Sequence, residues 1–339
     1  MPLPSQYTLS TGATLASVGL GCWMGTPVKA GASGNEETYE MVRTALGSLI
    51  IKSSSRLPFP LGYTHFDTAS GYGNEEAVGR AIRDSGKKRD ELFITTKLHQ
   101  PDHGRVQEAF ETSVKNLDID YIDCFLMHWP QATDPSTGET IPFDQSPTFV
   151  QTWLEMEKLL STGKVKCIGV SNFSIKNLEI LLPQATVVPA INQVEGHPYL
   201  PNDALAAYCK EKGIHLTAYC PLGQGRSPIL LEPLLAALSR KYAKPAGSIL
   251  LSWGVQRGWS VVPKSSNPGR MAQNLDIFEL EEADMDAISA LHRQPGNYRS
   301  LCDYGPGSQK DGYCSGWRIK EDLGWDYPIT KAEGGGWTA

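Results

Sequence analysis

Short apolar runs alternate with amphipathic helical patterns along most of the chain, and no other feature of the sequence restricts its fold as much. The apolar runs predict eight strands, at residues 17–20, 64–67, 92–97, 122–127, 165–170, 190–194, 215–219 and 260–262. The helical patterns predict eight helices, at residues 36–46, 74–85, 105–117, 147–161, 174–182, 203–212, 246–257 and 269–276. Strands that alternate with helices favour a parallel sheet, and eight of them close into a barrel. We therefore predict the α/β class and a (β/α)8 TIM barrel.

A doubly wound open sheet is the competing α/β architecture. Such a sheet normally carries a glycine-rich GxGxxG turn between its first strand and its first helix. Here the segment GLGCWMG is followed by TPVKAG, which does not open a helix. The barrel is therefore the favoured prediction.

Several segments fall outside the repeat, and we expect them to belong to one domain, 1–339. The start of the chain predicts a short hairpin, and additional helices are expected at 231–242 and 281–292. Residues 48–61 contain an SSS run and two prolines, and their place between a helix and a strand predicts a surface insertion away from the chemistry. Residues 293–339 are rich in Gly, Pro, Tyr and Trp, and we expect a C-terminal tail that lies over the barrel.

Charge and cysteine content restrict the partners and the compartment. The net charge of −6 argues against a broad surface for nucleic acid or an anionic membrane, since both require clustered Lys and Arg. No apolar stretch reaches the roughly 18 residues of a membrane helix, and MPLPSQYTLSTG lacks the features of a secretory signal. The seven cysteines form an odd set without CxxC spacing, which predicts reduced thiols in a cytoplasmic protein.

Four polar residues lie at or just after the ends of predicted strands: Asp67, Tyr72, Lys97 and His128. Because the carboxyl ends of barrel strands meet at one rim, where barrel enzymes hold their active sites, we expect these side chains to converge. A desolvated Lys97 keeps its charge if Asp67 pairs with it, and its cation would lower the pKa of a neighbouring Tyr72. An ordinary ion pair beside a packed tyrosine explains Asp67 and Lys97 equally well, but His128 on the same rim favours catalysis.

The residue types at this rim indicate one kind of reaction. The sequence has no HExxH motif or Cys/His cluster that would suggest a metal site, and no activated serine or cysteine that would suggest acyl transfer. Asp, Tyr, Lys and His together can polarise and protonate a carbonyl group. Protonation of the carbonyl oxygen while its carbon receives a hydride fits best, and that reaction requires a nicotinamide cofactor.

Seven segments resemble the signature blocks of the aldo-keto reductases, and they occur in the order of that family between residues 6 and 292. They are DTASGYGNEEAVGRAI, ITTKL, LMHWP, GKVKCIGVSNF, NQVEGHPYL, AYCPLG and VPKSSNPGRMAQN. The resemblance implies that Tyr72 is the general acid and that Lys97 and Asp67 tune it. It also implies that His128 orients the carbonyl group of the substrate.

The same resemblance assigns residues to the nicotinamide end of a cofactor. It implies that Ser171, Asn172 and Gln193 hydrogen-bond the carboxamide, that Tyr219 stacks on the ring, and that Leu222 also contacts the cofactor. Ser171 and Asn172 can also be interpreted as the N-cap of the helix that follows them, and both roles can hold together. For Tyr219 the alternative is an ordinary packed aromatic residue.

A basic and hydroxyl cluster follows the last predicted strand, beside the start of a helix. Lys264, Ser265 and Arg270 suit a phosphate monoester, although a solvated basic turn would explain them as well. In the aldo-keto reductases this block binds the adenosine 2′-phosphate, so the resemblance implies NADP(H) as the cofactor. It also implies that Asn274 contacts the adenine, while Gln273 stands where many members carry Glu.

The sequence leads to an expected activity. We expect reversible, NADPH-dependent reduction of an aldehyde or ketone to the alcohol, with Tyr72 as the proton donor and with Trp23 and Trp129 as walls of the substrate pocket. In length and in glycine and aromatic content the tail resembles that of sugar- and polyol-active aldo-keto reductases, and this resemblance implies a small hydroxy-aldehyde or a sugar as substrate. The alternative is a regulatory module that binds the cofactor but turns over slowly, and the complete set of four rim residues argues against it. His197 shows no partner pattern and receives no role.

Overall fold

The computed structural model describes residues 2–29, 33–47, 61–224, 227–302, 309–310 and 312–326. Its strands are β1 (Gln6–Thr8), β2 (Thr14–Ala16), β3 (Leu20–Gly21), β4 (His65–Asp67), β5 (Phe93–Leu98), β6 (Ile122–Met127), β7 (Val165–Ser171), β8 (Ile191–Glu195), β9 (His215–Tyr219), β10 (Ser260–Val261), β11 (Gln309–Lys310), β12 (Tyr313–Cys314) and β13 (Trp317–Arg318). Strands β3 to β10 form one parallel sheet in chain order, β1 and β2 form an antiparallel hairpin, and β11 to β13 form a small antiparallel sheet.

The first and last strands of the parallel sheet close on each other. Val18 and Val261 form a parallel bridge just before β3 and at the end of β10. The Gly19 amide donates to the Val261 carbonyl at 2.8 Å, and the Val261 amide donates to the Ser17 carbonyl at 2.9 Å. The same seam continues at Gly21. A Cβ atom there would lie 2.7 Å from the carbonyl oxygen of Val262, so this position requires glycine. The predicted (β/α)8 barrel is confirmed.

Helices follow the strands and cover the outside of the barrel. They are α1 (Ser33–Leu46), α2 (Glu75–Asp84), α3 (Val106–Leu117), α4 (Phe149–Leu159), α5 (Ile175–Leu181), α6 (Asp203–Glu211), α7 (Pro233–Tyr242), α8 (Ala246–Gln256), α9 (Pro268–Leu275) and α10 (Glu282–Ser289). In α2, for example, the buried residues include Val78 and Ile82, which belong to the large apolar cluster of the barrel. In the described part of the chain no helix has the length and apolar character needed to cross a membrane.

Two apolar clusters sit on the two sides of the sheet, because successive side chains of a strand point to opposite faces. In β6, Phe125 and Met127 belong to the large cluster that the helices complete. Cys124 and Leu126 face the other way and join a smaller cluster, with Leu15 of the hairpin. The hairpin therefore closes the end of the barrel at which the strands begin.

The C-terminal residues contact loops that follow the strands. The Arg299 amide donates to the Tyr199 carbonyl at 3.3 Å. Trp317 packs against Phe143 with 5.0 Å between ring centroids, and its Nε1 donates to the Ile141 carbonyl at 2.7 Å. The predicted insertion at 48–61 lies outside the described residues except for its last position, so it stays a prediction.

Candidate active site

A buried ion pair joins the ends of β4 and β5. Lys97 is 0% exposed, and its Nζ donates to Asp67 Oδ1 at 2.6 Å and to the Thr68 carbonyl at 2.9 Å. The second carboxylate oxygen of Asp67 accepts from Gln193 Nε2 at 2.6 Å. Burial acts to lower the pKa of Lys97, but the Asp67 carboxylate and the Tyr72 hydroxyl outweigh burial, so the pKa is raised. Lys97 is therefore a desolvated cation.

Tyr72 is held next to this cation by a tight turn. It ends the 3₁₀ turn Ser70–Tyr72 after β4, and Gly73 follows with φ of 70°. A Cβ atom on Gly73 would lie 2.1 Å from the Val28 carbonyl oxygen, so the turn requires glycine at this position. Lys97 Nζ lies 5.1 Å from the centroid of the Tyr72 ring, so the cation sits directly beside the phenol.

The protonation of Tyr72 differs from the expectation. Burial raises the pKa of Tyr72 to about 12, and the Lys97 cation only partly opposes that effect. The expected net decrease is wrong because desolvation of the phenolate outweighs its attraction to Lys97. Tyr72 consequently keeps its proton at neutral pH, which is the form that a proton donor needs.

His128 completes the cluster from the end of β6. Its ring lies 5.6 Å from the Tyr72 ring in an edge-on arrangement, and Trp23 lies 4.9 Å from Tyr72 on another side. Burial lowers the pKa of His128 well below its ordinary value, and Lys97 adds to the effect. The imidazole is therefore neutral at pH 7. Trp129 follows His128 directly and is half-buried.

A second polar cluster lies across the ends of β7, β8 and β9. Ser171 Oγ donates to the Gln193 carbonyl at 2.8 Å, and the Asn172 amide donates to the same oxygen at 2.9 Å. Asn172 Nδ2 donates to the His128 carbonyl at 2.9 Å, and the Tyr219 hydroxyl donates to Asn172 Oδ1 at 2.8 Å. Asn172 thus links the two clusters, and its φ of 65° lies in the left-handed region that asparagine tolerates well.

A third cluster lies at the start of α9. Ser265 is buried, whereas Lys264 and Arg270 are exposed, and neither cation forms a salt bridge with a carboxylate in the part of the chain that the structure describes. Burial lowers the pKa of Lys264, with Glu37 opposing and Arg270 adding to the effect. Asn267 caps the helix by accepting from the Arg270 amide at 3.0 Å. Two neighbouring cations at a helix N-terminus form a suitable site for an anion.

Comparison with known proteins identifies the family. Residues 17–293 match the sequence pattern of the Aldo/keto reductase family. The chain belongs to that family. It is therefore an oxidoreductase that interconverts carbonyl groups and alcohols with NADP(H), and the expected reaction class and cofactor are confirmed.

The reductase is similar to several named proteins over most of its length. Glycerol 2-dehydrogenase (NADP(+)) and aldehyde reductase YPR1, both of Saccharomyces cerevisiae, are each 40% identical to it, over 86% of this chain and 92% of the relative. D-galacturonate reductase of Hypocrea jecorina is 36% identical over 84% of this chain and 89% of the relative. A crystal structure of a Bombyx mori aldo-keto reductase in complex with NADP is 32% identical, with a TM-score of 0.77 over 93% of this chain and 99% of that chain.

Two predictions for single positions of this reductase can be compared with the structure, namely the N-cap of α5 and the role of Asn274. The N-cap of α5 is Ser174, whose Oγ accepts from the Asn177 amide at 3.2 Å, so the interpretation of Ser171 and Asn172 as that cap is wrong. Asn274 is 4% exposed, and its contact with the adenine stays a prediction.

Sequence reasoning missed one buried carboxylate in the reductase. Glu195 ends β8 directly after the NQV of the motif, and it accepts hydrogen bonds from His197 and from the C-terminal tail. The criterion that selected Asp67 and Lys97, a polar residue at a strand end, applies equally to Glu195 and could have found it.

Proposed function

We propose that this reductase reduces an aldehyde or ketone to the alcohol and that Tyr72 donates the proton to the carbonyl oxygen. The position of the Lys97 cation, 5.1 Å from the centroid of the Tyr72 ring, carries this proposal. Tyr72 holds its proton at neutral pH, and a cation beside it stabilises the phenolate that forms when the proton leaves. The Asp67 carboxylate, whose Oδ1 lies 2.6 Å from Lys97 Nζ, keeps Lys97 charged during the proton transfer.

His128 has a separate role in the proposal. Because its imidazole is neutral, it can offer an N–H group to the carbonyl oxygen without competing with Tyr72 for the proton. Its ring packs edge-on against that of Tyr72, with 5.6 Å between the ring centroids, so the polar atoms of both side chains can reach one carbonyl oxygen. Trp23 and Trp129 would then form apolar walls around the substrate.

The remaining clusters are assigned to the cofactor. The side chains proposed to hold the nicotinamide end are Ser171, Asn172, Gln193, Tyr219 and Leu222. Lys264, Ser265 and Arg270 are proposed to bind the 2′-phosphate, and Asn274 the adenine. Lys264 and Arg270 form no salt bridge within the described residues, and two exposed cations fit a group with a phosphate monoester. When bound, NADPH supplies the hydride that the carbonyl carbon receives.

The proposed substrate class is small and polar. Relatives named glycerol 2-dehydrogenase and D-galacturonate reductase support a hydroxy-aldehyde or a sugar such as glyceraldehyde or xylose. The reverse reaction would oxidise a polyol with NADP+, with the Tyr72 phenolate as the base. A net charge of −6 supports a small-molecule partner rather than a nucleic acid or a membrane surface. All seven cysteines are free thiols, which supports a cytoplasmic location.

A substrate panel tests the proposal. The oxidation of NADPH is followed by its absorbance with aldehydes, ketones and sugars, and the oxidation of polyols is followed with NADP+. We expect turnover with NADPH, much weaker turnover with NADH, and the highest kcat/KM for short hydroxy-aldehydes. Tight binding of NADPH without turnover of any carbonyl compound would instead support the cofactor-binding regulatory module.

A further inference from the structure

The carboxylate of Glu195 joins the end of β8 to the C-terminal tail. It is 3% exposed, and its Oε1 accepts from the Leu301 amide at 2.6 Å and from the Cys302 amide at 3.1 Å. Its Oε2 accepts from Ser300 Oγ at 2.6 Å. His197 Nε2 lies 2.8 Å from Oε1 on the barrel side. One buried carboxylate thus receives three donors from three successive tail residues.

The charge of Glu195 makes these contacts strong. Burial acts to raise its pKa, but the hydrogen bonds from His197, Ser300 and Leu301 outweigh burial, so the pKa is lowered. The carboxylate is therefore ionised at neutral pH. Hydrogen bonds to an ionised acceptor are roughly twice as strong as those between neutral groups.

The segment that Glu195 holds lies beside the proposed cofactor and substrate site. Glu195 is the register partner of Tyr219 in the sheet. A Cβ atom on Gly223, one position before the end of the described loop, would lie 2.6 Å from Leu301 Cδ1, so Leu301 packs on the residue that follows Leu222. The Arg299 amide also donates to the Tyr199 carbonyl in the loop after β8, so the residue before Ser300 is held at the same end of the barrel.

We propose that Glu195 is a positioning residue that fixes residues 300–302 as a wall of the substrate site, so that substrate selectivity depends on its charge. The inference rests on the proposed function of the rim, because it takes the neighbourhood of Tyr219 as the place where substrate and cofactor meet. Loss of the charge weakens the hydrogen bonds from the Leu301 and Cys302 amides and loosens this wall of the site. Tyr72, Lys97 and His128 are untouched, so binding of the carbonyl compound suffers more than the chemical step.

The decisive variant is Glu195→Gln, which keeps the size of the side chain and removes its charge. We expect amide hydrogen exchange of Leu301 and Cys302 to accelerate by about tenfold or more, because a hydrogen bond to a charged group contributes roughly 1.5–3 kcal/mol. The KM for glyceraldehyde should rise by about tenfold, while kcat and the Kd for NADPH stay within about twofold. The ratio of kcat/KM for glyceraldehyde to kcat/KM for benzaldehyde should decrease.

Glu157→Gln is the matched control. Glu157 is also a carboxylate clamp, with bonds from the Thr186 amide at 2.7 Å, from Thr186 Oγ1 at 2.6 Å and from the Val187 amide at 2.8 Å. These residues precede β8, at the opposite end of the barrel from Tyr72. The control should lower stability and leave KM unchanged.

The outcomes separate this inference from the proposed function. Unchanged exchange of Leu301 and Cys302 overturns the anchor, and unchanged KM overturns the role in selectivity. An equal loss of affinity for NADPH would assign Glu195 to cofactor binding and overturn the inference as well. If Glu195→Gln does not fold, Ser300→Ala removes one donor only and should raise KM by a smaller factor. A wild-type enzyme that reduces no probe aldehyde contradicts the proposed function, while the exchange measurement still decides the anchor.

Discussion

Polar side chains are buried at both ends of the barrel strands, but the groups that hydrogen-bond them differ between the two ends. Toward the beginning of the strands, His65 Nε2 lies 3.1 Å from Thr95 Oγ1, and Thr217 Oγ1 lies 2.7 Å from Ser260 Oγ. Burial lowers the pKa of His65 to about 4, so this cluster is neutral at pH 7. At the other end of the strands, buried Lys97 is ionised and paired.

The difference reflects what each end has to do. Neutral hydroxyl and imidazole groups can be buried at modest cost once each finds a partner. Burial of an ion costs several kcal/mol and is offset only by close, well-placed partners such as Asp67 beside Lys97. The fold therefore places its fully buried Lys–Asp pair at the rim, where a cation can act on Tyr72, whereas the Arg89–Asp123 pair near the beginning of the strands keeps 15% and 12% of its side chains exposed.

The largest expected difference between the two ends is in catalysis. Tyr72→Phe removes the proposed proton donor, so kcat should fall by roughly 10²–10⁴-fold while the Kd for NADPH stays unchanged. The matched change at the other end is Tyr7→Phe, which deletes a hydroxyl that donates to the Val255 carbonyl at 2.7 Å. This change should lower the free energy of unfolding and leave kcat unchanged. Wild-type turnover in Tyr72→Phe would remove Tyr72 from the mechanism.

A second prediction concerns stability. Lys97→Met leaves the Asp67 carboxylate buried without its cation, which should lower the free energy of unfolding by about 3–5 kcal/mol in urea titrations. Thr217→Val at the other end breaks only a neutral hydrogen bond and should cost roughly 1–3 kcal/mol. Equal losses in the two variants would contradict the contrast between a charged end and a neutral end.

The third prediction extends the contrast to exposed charges. Arg270→Ala should weaken NADPH binding by about tenfold or more, because one charge-assisted contact contributes roughly 1.5–3 kcal/mol. NADH, which lacks the 2′-phosphate, should bind almost as before. Arg240→Ala, at an exposed position of α7, is the control and should change neither affinity. Titration of cofactor fluorescence gives both constants, and an equal loss for the two cofactors would show that Arg270 does not bind the phosphate.

The last prediction is a dependence of stability on pH that comes from the neutral end. Burial lowers the pKa of both His65 and His215 to about 4, below the ordinary value of 6.5. As the pH falls from 6.5 toward 4, the unfolded chain takes up these protons first, so stability is lost in that window, by at most about 1.4 kcal/mol per pH unit for each group. Unfolding midpoints in urea at several pH values measure this loss. His65→Asn should flatten the curve, and an unchanged slope would show that His65 does not titrate there.

Local pattern was sufficient to predict the fold and the convergence of the rim residues. A barrel strand buries a short apolar run and ends at the rim, so the position of Asp67, Lys97 and His128 follows from the chain order alone. The pKa of Tyr72 could not be predicted with the right sign, because desolvation depends on how completely neighbouring elements enclose the hydroxyl. The link between Glu195 and Leu301 spans 106 positions, and no periodicity in the sequence encodes such a contact.

The seam between Val18 and Val261 has a consequence for synthesis of the protein. On a ribosome, the first barrel strand emerges long before its partner, and the Tyr7 hydroxyl waits for an acceptor that lies 248 positions later. Until then the nascent sheet has two open edges, which are templates for pairing with other chains. Contacts of such long sequence separation also form slowly. Closure is thus a late event in translation, and the open edges of the growing sheet stay accessible to other chains until β10 has left the exit tunnel.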